Sequence, residues 1–520
     1  MKFKKIILAS LAALLVFSPA TAVLADTNLN QALPKLGSNN TYSAPLTTQQ
    51  TQVPKAAGLP TKYDPRGSRF ATPVGNQNYL DICWAYTATD LMALSLRKSQ
   101  GIQRTFSPNY YNYLLATNAF TQGNKNLMAQ PRKLNGGGDD TWAEVAAFQG
   151  YTPVSKNVMG TPVYPTSAGR NIKSFAKITK KHQSMNVAGI FDIWGITSGS
   201  TATMRNRANQ IKQYVRDYGG ASLAVEAEET FDSLFSTNTP VYTKTLPDKA
   251  YTSYVPVSAL NKVPTSSSQG YKRATADHQV TIVGWDDNYD RHNFNQTPPA
   301  NGAFLVKSSW GTSVLDKGYA WLSYYDLYVL QSDLHAVKTG KKQSYKQYTQ
   351  VNGAPQAYDQ FAKRKALYLA NTYKAKKVKK NKVEKLKQFS FYTMQNNVKY
   401  TVYFARKGLK TGKITSMKGI KKVGSGTITR SGLQKIKLKK AQSLKSNSDF
   451  TVIVRVNSSN KASFLMPVQV LSKKGRTTYP IVKTGRSYIS TQSKHFKWKN
   501  YTNSVGGNMY INAYTKTVKK

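Results

Sequence analysis

Cysteine is almost absent from this sequence, since Cys83 is the only one among 520 residues. A chain with one cysteine has no internal disulfide, so its apolar cores alone must stabilise the fold. Acidic residues are also scarce, with 24 against 74 Lys and Arg, and the formal net charge is +50. The five histidines form no His/Cys cluster at ligand spacing, so we expect neither a metal site nor a cofactor.

Long apolar runs are confined to the N-terminus. Three lysines within residues 2–5 precede the apolar run 6–17, and small residues then lead to Ala25, which is typical of a secretory signal peptide over residues 1–25. Residues 26–56 are rich in Gln, Thr, Asn and Ser, and this composition predicts a flexible leader. No later stretch approaches about 18 consecutive apolar residues, so we expect a secreted protein without a transmembrane segment.

The neighbours of Cys83 favour a nucleophile over the alternative, a buried and inert thiol. Residues 83–96 carry apolar side chains at three- and four-residue spacing and contain neither Gly nor Pro before Gly101. This pattern predicts a helix with Asp81 as its N-cap. Cys83 would then lie in the first turn, where unsatisfied backbone N–H groups and the positive end of the helix dipole favour a thiolate.

Two further residues have the chemistry that a nucleophilic thiol needs. The side-chain amide of Gln77, six residues before Cys83, can donate to a developing oxyanion together with the Cys83 N–H. His278 begins the alternating apolar run 278–285, which predicts a buried strand with the imidazole at its start. That imidazole can act as the base. The alternative for His278 is a core histidine that hydrogen-bonds a backbone carbonyl.

These segments resemble the papain and cathepsin family of cysteine peptidases. The match covers the following residues in order and spacing: Leu59, Pro60, Asp64, Arg66, Gly67, Thr72, Pro73, Val74, Asn76, Gln77 and residues 83–86. The resemblance implies that Cys83 is the nucleophile, His278 the base and Gln77 an oxyanion donor. It also implies a peptide or protein substrate.

The resemblance extends to residues 305–311, which read Leu-Val-Lys-Ser-Ser-Trp-Gly. In the family an asparagine at the fourth position orients the catalytic histidine, and the tryptophan shields that contact from water. Ser308 occupies the place of the asparagine here, and Trp310 is the shielding residue. A hydroxyl reaches less far than a carboxamide, so we expect Ser308 to orient His278 less well and to reduce activity.

The substrate cleft is predicted from a glycine-rich segment. Residues 134–138 read Leu-Asn-Gly-Gly-Gly and resemble the family segment that lines the cleft, where Gly136, Gly137 and Trp84 are expected to contact substrate. A helix-like run at 211–218 precedes a predicted strand at 219–225. The resemblance therefore implies an α+β papain-like domain over residues 57–337, with a helical lobe, a β-barrel-like lobe and the active site between them.

Residues 338–520 differ in charge and pattern from the first half. From residue 341 onward 41 Lys and Arg face three acidic residues, whereas residues 1–340 carry 33 against 21. Seven segments of this half alternate apolar with polar residues and predict an all-β sandwich: 386–394, 398–406, 424–430, 433–438, 449–456, 463–470 and 508–515. This half resembles the lectin-like β domain that follows papain-type peptidases in some bacterial surface proteins.

A basic β domain favours an anionic partner. Many lysines together bind phosphate polymers, so we expect residues 338–520 to bind an anionic cell-wall polymer or a carbohydrate at a bacterial cell surface. Nucleic acid is less favoured, although tyrosines could stack on bases: Tyr392, Tyr400, Tyr403, Tyr479 and Tyr488. A third alternative is a basic surface that only interacts with solvent.

The sequence as a whole predicts a secreted cysteine endopeptidase that the basic β domain retains at the cell wall. The alternative is a catalytically impaired surface adhesin or wall-binding protein. Ser308 favours the alternative, and the intact Gln77, Cys83 and His278 oppose it.

Overall fold

The computed structural model describes residues 58–115, 136–159, 181–231, 242–268, 271–351, 353–355, 357–361, 366–409, 414–415, 419–457, 464–470, 486–491, 496–501 and 507–520. The predicted signal peptide and leader lie outside these residues, as do Leu134 and Asn135 of the glycine-rich segment. No helix within the described ranges is long and apolar enough to cross a membrane.

The described helices belong to the first 331 residues. They are α1 (Cys83–Gln100), α2 (Pro108–Leu114), α3 (Asp140–Phe148), α4 (Lys156–Met159), α5 (Thr201–Tyr218), α6 (Ala227–Phe231) and α7 (Leu327–Gln331), with 3-10 turns at Val257–Asn261 and Arg291–Asn293. The predicted helix at Cys83 is confirmed and ends at Gly101, whose φ of 67° is the left-handed conformation that glycine adopts without strain.

The predicted N-cap of α1 is wrong. Ile82 occupies the N-cap position with φ −124° and ψ 23°, and no side chain caps this end of the helix. Asp81 lies one residue too early because the chain enters the helix only after Ile82, whose side chain is fully buried. In the first turn the Trp84 N–H hydrogen-bonds the Cys83 sulfur, whereas the Ala85 and Tyr86 N–H groups donate to the Ile82 carbonyl.

The strands of the first half are β1 (Lys62–Tyr63), β2 (Met185–Ile193), β3 (Ala221–Val225), β4 (Thr243–Thr245), β5 (Tyr251–Ser253), β6 (Thr265–Ser268), β7 (Tyr271–Ala274), β8 (His278–Asp286), β9 (Ala303–Lys307), β10 (Tyr319–Ser323) and β11 (Leu334–Lys341). One sheet has the order β1-β8-β9-β10-β5-β4, and β3 also pairs with β8. The predicted strands at 219–225 and 278–285 are confirmed as β3 and β8. His278 is the first residue of β8, an interior strand, so its imidazole lies at the end of a strand that pairs with β1, β3 and β9.

The strands of the second half are β12 (Lys346–Tyr348), β13 (Ala357–Phe361), β14 (Leu367–Lys374), β15 (Lys382–Thr393), β16 (Val398–Ala405), β17 (Ile414–Thr415), β18 (Ile420–Ile428), β19 (Gly432–Ser443), β20 (Asp449–Asn457), β21 (Phe464–Val470), β22 (Ser487–Ser490), β23 (Phe496–Lys497), β24 (Lys499–Asn500), β25 (Gly507–Met509) and β26 (Ile511–Lys519). All seven predicted strands are confirmed, the last of them as β25 and β26. A core that includes Phe389, Val454 and Ile511 lies between two six-stranded sheets and makes this half a β-sandwich.

One of these sheets joins the two halves of the chain. Its order is β11-β2-β19-β15-β26-β12, so β2 pairs with β11 on one side and with β19 on the other. Gly432, with φ 125°, begins β19 opposite Phe191, and a β carbon there would lie 2.1 Å from the Ile190 carbonyl oxygen. Only glycine permits this close approach of the two strands. The predicted domain boundary at residue 338 falls inside β11 and stays a prediction.

The helical core also draws on both halves. Residues of α1, α2 and α3, among them Trp84 and Leu91, form one buried cluster with Leu433, Tyr510 and Tyr514 of the sandwich. These three residues are almost fully buried. The sandwich therefore completes the core on which α1 rests.

Candidate active site

Cys83 begins α1 and is buried at the edge of the helical core. Burial raises the pKa of its thiol to about 12, and the carboxylates of Asp277 and Asp81 act in the same direction. Hydrogen bonds from the backbone of Gln279 and Trp84 to the sulfur oppose this rise. The residue that follows His278 thus contacts the sulfur, so β8 brings the predicted base next to the predicted nucleophile.

The imidazole of His278 is held between an aromatic ring and a hydroxyl. Its ring stacks on the Trp310 indole with centroids 4.2 Å apart and planes at 22°. Its Nε2 lies 3.3 Å from the Ser308 Oγ. Burial lowers the pKa of His278 to about 3. Burial thus disfavours the charged form of each group taken by itself, the thiolate of Cys83 and the imidazolium of His278.

Ser308 follows the last residue of β9, and its backbone N–H donates to the Gly318 carbonyl at 3.0 Å. This bond fixes the backbone and directs the hydroxyl at His278. The 3.3 Å contact is longer than an ordinary hydroxyl hydrogen bond of about 2.7–2.8 Å. The distance is what the shorter side chain predicts, because serine has fewer atoms with which to span the gap.

Gln77 has a fixed side-chain orientation. Its Oε1 accepts a hydrogen bond from the Ser309 hydroxyl at 2.6 Å, and its Nε2 donates to the Leu80 carbonyl at 2.7 Å. Its backbone N–H donates to the Ser309 carbonyl at 2.7 Å, and Asn76 bridges to Trp310. One Nε2 proton is sufficient for the Leu80 bond, which leaves the second available to a substrate oxygen. Sequence reasoning missed Ser309, although it neighbours Ser308 in the matched motif.

The glycine-rich segment packs against Trp84. A β carbon on Gly138 would lie 2.7 Å from the Trp84 ring, whereas one on Gly137 would meet no atom within 4 Å. Gly136 is half-buried, and the Trp84 and Trp142 rings lie 6.3 Å apart. Gly138 therefore packs directly on the Trp84 ring. Because that ring is completely buried, it supports the glycine segment from the interior and cannot reach a substrate, contrary to the prediction for Trp84.

Two contacts between polar side chains, Gln279 with Asp140 and His335 with Asp192, were not predicted from the sequence. The Gln279 Nε2 donates to the Asp140 Oδ1 at 2.9 Å, and Asp140 is 1% exposed. His335 is also buried, with its Nδ1 3.1 Å from the Asp192 Oδ1. Asp140 follows the glycine segment and starts a helix, a position where an acidic residue is usually interpreted as helix stabilisation. Such an interpretation gives no indication that Asp140 contacts Gln279 of β8.

Comparisons with known proteins agree with this architecture. Residues 353–515 match the family model described as a lectin-like domain. The chain is similar to the crystal structure of the cysteine protease and lectin-like domains of Cwp84, a surface layer associated protein of Clostridium difficile. That match has 21% identity and a TM-score of 0.65, covering 88% of this chain and 89% of that one. The fold is that of a cysteine protease joined to a lectin-like domain.

A second solved structure, clostridial Cwp84 after propeptide cleavage, matches with 21% identity and a TM-score of 0.66. The match covers 88% of this chain and 99% of that one. No curated protein matches the sequence. The likeness to Cwp84 thus spans both halves of this chain.

Proposed function

We propose that this protein is a secreted cysteine endopeptidase of papain-like architecture, with its site between a helical lobe and a barrel-like lobe. Cys83 attacks the scissile carbonyl, and His278 takes and returns the proton. Gln77 and the Cys83 N–H hold the oxyanion, while Ser308 and Trp310 orient and cover the imidazole. Gly136 and Gly137 contact the peptide substrate, while the buried Trp84 ring supports the adjacent Gly138.

The observation that carries this proposal is the arrangement around His278. Its ring stacks on Trp310 at 4.2 Å, its Nε2 faces the Ser308 hydroxyl, and the next residue along β8 hydrogen-bonds the Cys83 sulfur. A core histidine of purely structural origin would not require an orienting hydroxyl, an aromatic cover and a thiol at a helix start in the same place.

Labelling with a peptidyl epoxide tests the proposal. Because Cys83 is the only cysteine, one adduct in the intact mass of the folded protein locates the reaction. We expect rapid labelling of the wild type, loss of labelling in His278→Ala and loss of peptide hydrolysis in Cys83→Ala. Each variant should keep the wild-type circular dichroism spectrum.

The matched control is His292→Ala, since His292 is an exposed histidine that contacts Asp290 far from Trp310 in sequence. This variant should label at the wild-type rate. A folded wild type that resists the epoxide, while its thiol reacts fully after denaturation, contradicts the peptidase proposal and moves the function to the sandwich.

We further propose that residues 338–520 retain the peptidase at the cell wall by binding an anionic polymer or carbohydrate. Lys385 lies directly opposite Lys516 between β15 and β26, and Lys382 lies opposite Lys519. Like charges at facing positions destabilise a sheet, so a bound anion would relieve the repulsion. Tyr392 and Tyr488 are buried, which disfavours base stacking by these two side chains.

A catalytically impaired surface adhesin is the second candidate, and the burial that disfavours both the Cys83 thiolate and the His278 imidazolium favours it. A thiol with a raised pKa is a weak nucleophile at neutral pH. The epoxide experiment separates the two candidates, because an impaired site would remain unlabelled in the folded protein.

A further inference from the structure

Gln279 connects the nucleophile to helix α3. Its backbone hydrogen-bonds the Cys83 sulfur, and its side-chain Nε2 donates to the Asp140 Oδ1 at 2.9 Å. Successive strand residues point to opposite faces, so the Gln279 side chain leaves His278 and reaches the helix instead. The position of the N–H at the sulfur therefore depends on what holds this side chain.

Asp140 belongs to a buried polar cluster built from four elements. Asp140 and Glu144 lie one turn apart on α3, Asp192 is on β2 and His335 is on β11. The His335 Nδ1 lies 3.1 Å from the Asp192 Oδ1. His335 also joins β3, since its N–H donates to the Ser222 hydroxyl at 2.8 Å.

This cluster carries more carboxylates than it has counter-charges. Asp140, Glu144 and Asp192 are 1%, 0% and 0% exposed, and His335 is the imidazole among them. Neither carboxylate oxygen of Glu144 has a hydrogen-bond partner among the described residues. Three buried carboxylates around one imidazole cannot all be ionised at low cost, so the cluster must hold protons.

The charge of Asp140 depends on its neighbours on every side. Burial raises the pKa of Asp140 to about 6, with the charge of His335 opposing the rise and exposed Asp139 adding to it. Side-chain hydrogen bonds from Gln279 and Ser222 also oppose the rise. Burial raises the pKa of Glu144 as well, and Asp140 adds to that shift.

We propose that Asp140 is a positioning residue for the reaction at Cys83, because it holds through Gln279 the backbone N–H that supports the sulfur. This inference rests on the proposed peptidase function. An ionised carboxylate accepts a hydrogen bond about twice as strong as a neutral one, so ionised Asp140 fixes the Gln279 side chain more firmly. Protonation of Asp140 weakens that bond and loosens β8 where it meets the thiol.

The test compares Asp140→Asn with Asp139→Asn, a matched control on the neighbouring exposed residue that caps α3. Two quantities are measured from pH 5 to 8.5: the rate of Cys83 alkylation by iodoacetamide, and kcat and KM for a peptide substrate. For Asp140→Asn we expect alkylation and kcat to fall about tenfold at pH 7.5 with KM unchanged, the size of one charge-assisted hydrogen bond. Asp139→Asn should match the wild-type rates at pH 7.5. Its pH-dependent step should lie slightly lower, because the Asp139 charge no longer raises the pKa of Asp140.

The pH profile gives a readout that a structural role would not move. The wild-type alkylation rate should fall additionally as pH drops through about 6, because Asp140 then becomes protonated. This additional fall in the alkylation rate near pH 6 should be missing in Asp140→Asn and present in Asp139→Asn.

A double variant that exchanges the hydrogen-bond donor and acceptor of this pair should rescue the reaction rate. Gln279→Glu places two carboxyl groups together and should reduce the rate more than Asp140→Asn does. The double variant Asp140→Asn/Gln279→Glu restores a donor and an acceptor with opposite polarity, and should recover to within about threefold of the wild type.

Two results overturn the inference: wild-type rates and an unchanged pH profile in Asp140→Asn, or a double variant no faster than Gln279→Glu alone. Failure of the peptidase proposal looks different, because wild-type Cys83 would then resist the epoxide before any variant is compared.

Discussion

At the scale of single residues, the long contact between Ser308 and His278 limits how firmly the imidazole is oriented. The Ser308 hydroxyl reaches the imidazole only at 3.3 Å. A cavity of about 250 Å³ borders Ser308 and is also lined by Thr89 and Gln279. A longer side chain at position 308 thus has both a partner to reach and room to occupy.

We predict that Ser308→Asn raises kcat on a peptide substrate by roughly tenfold, because a carboxamide can orient the His278 ring at normal hydrogen-bond length. The measurement is steady-state kinetics on the folded variant. Ser308→Ala, which removes the hydroxyl, is the opposite control and should lower kcat. A folded Ser308→Asn enzyme slower than the wild type would contradict the role assigned to this position.

The residues of the site differ in how far sequence could predict them. Cys83, Gln77 and His278 are recognisable because each stands in a short motif with fixed spacing. Asp140 and Gln279 were not recognised, since a hydrogen bond between a helix and a strand 139 residues away leaves no local pattern. The charge states of Cys83 and His278 were also beyond the sequence, because burial decides them.

At the scale of elements, the start of α1 is fixed by its contact with the glycine segment. Gly138 lies against the Trp84 indole, where a β carbon would come within 2.7 Å of the ring, while Gly137 faces open space. Trp84 is completely buried, so the ring has nowhere to move. A tight contact of this kind couples the cleft wall to the helix that carries Cys83.

We predict that Gly138→Ala destabilises the protein by about 1–3 kcal/mol, the usual cost of overpacking, and lowers kcat/KM. Gly137→Ala is the matched control and should change neither quantity by much. Urea unfolding and steady-state kinetics of the two variants check this. Equal stability of both variants would show that Trp84 can yield to the added methyl group.

Periodic elements were predictable and their details were not. The apolar spacing of residues 83–96 predicts α1, but the N-cap is Ile82 because tertiary burial of that side chain decides where the helix begins. Three consecutive glycines look equivalent in sequence. Only the position of the Trp84 ring shows that Gly138, rather than Gly137, has to be glycine.

At the scale of the whole molecule, the two halves share both a sheet and a core. β2 pairs with β19, and Leu433 of β19 is 1% exposed in the cluster that includes Trp84. The Lys435 ammonium donates to the Asn186 Oδ1 and the Val187 carbonyl, both at 2.7 Å. The second half of the chain thus helps to stabilise the fold of the first half.

We predict that Leu433→Ala lowers the free energy of unfolding by about 2–5 kcal/mol and also impairs peptidase activity, although the residue belongs to the sandwich. Lys437→Ala, at an exposed position of the same strand, is the control and should leave both unchanged. Urea titration followed by far-ultraviolet circular dichroism and by activity tests this. Loss of the sandwich signal with activity retained would show that the halves are independent.

The sequence predicted a protease-like half and a basic β half, but it also predicted a boundary between them near residue 338. The strands of the sandwich could be found because they alternate locally. β2 was not predicted as a member of that sheet, because its partner β19 is remote in the chain and the pairing depends on Gly432. Contacts of this range leave no signal in a window of adjacent residues.

The pairing of β2 with β19 also sets the order in which the protein can mature. Ile190 and Leu433 are 243 positions apart, and Tyr510 and Tyr514 of the helical core come later still. A chain is synthesised from its N-terminus onward, and contacts between residues so far apart in sequence form last. Helix α1, which carries the thiol, therefore remains incompletely packed until β19 and residues 510–514 have joined its core.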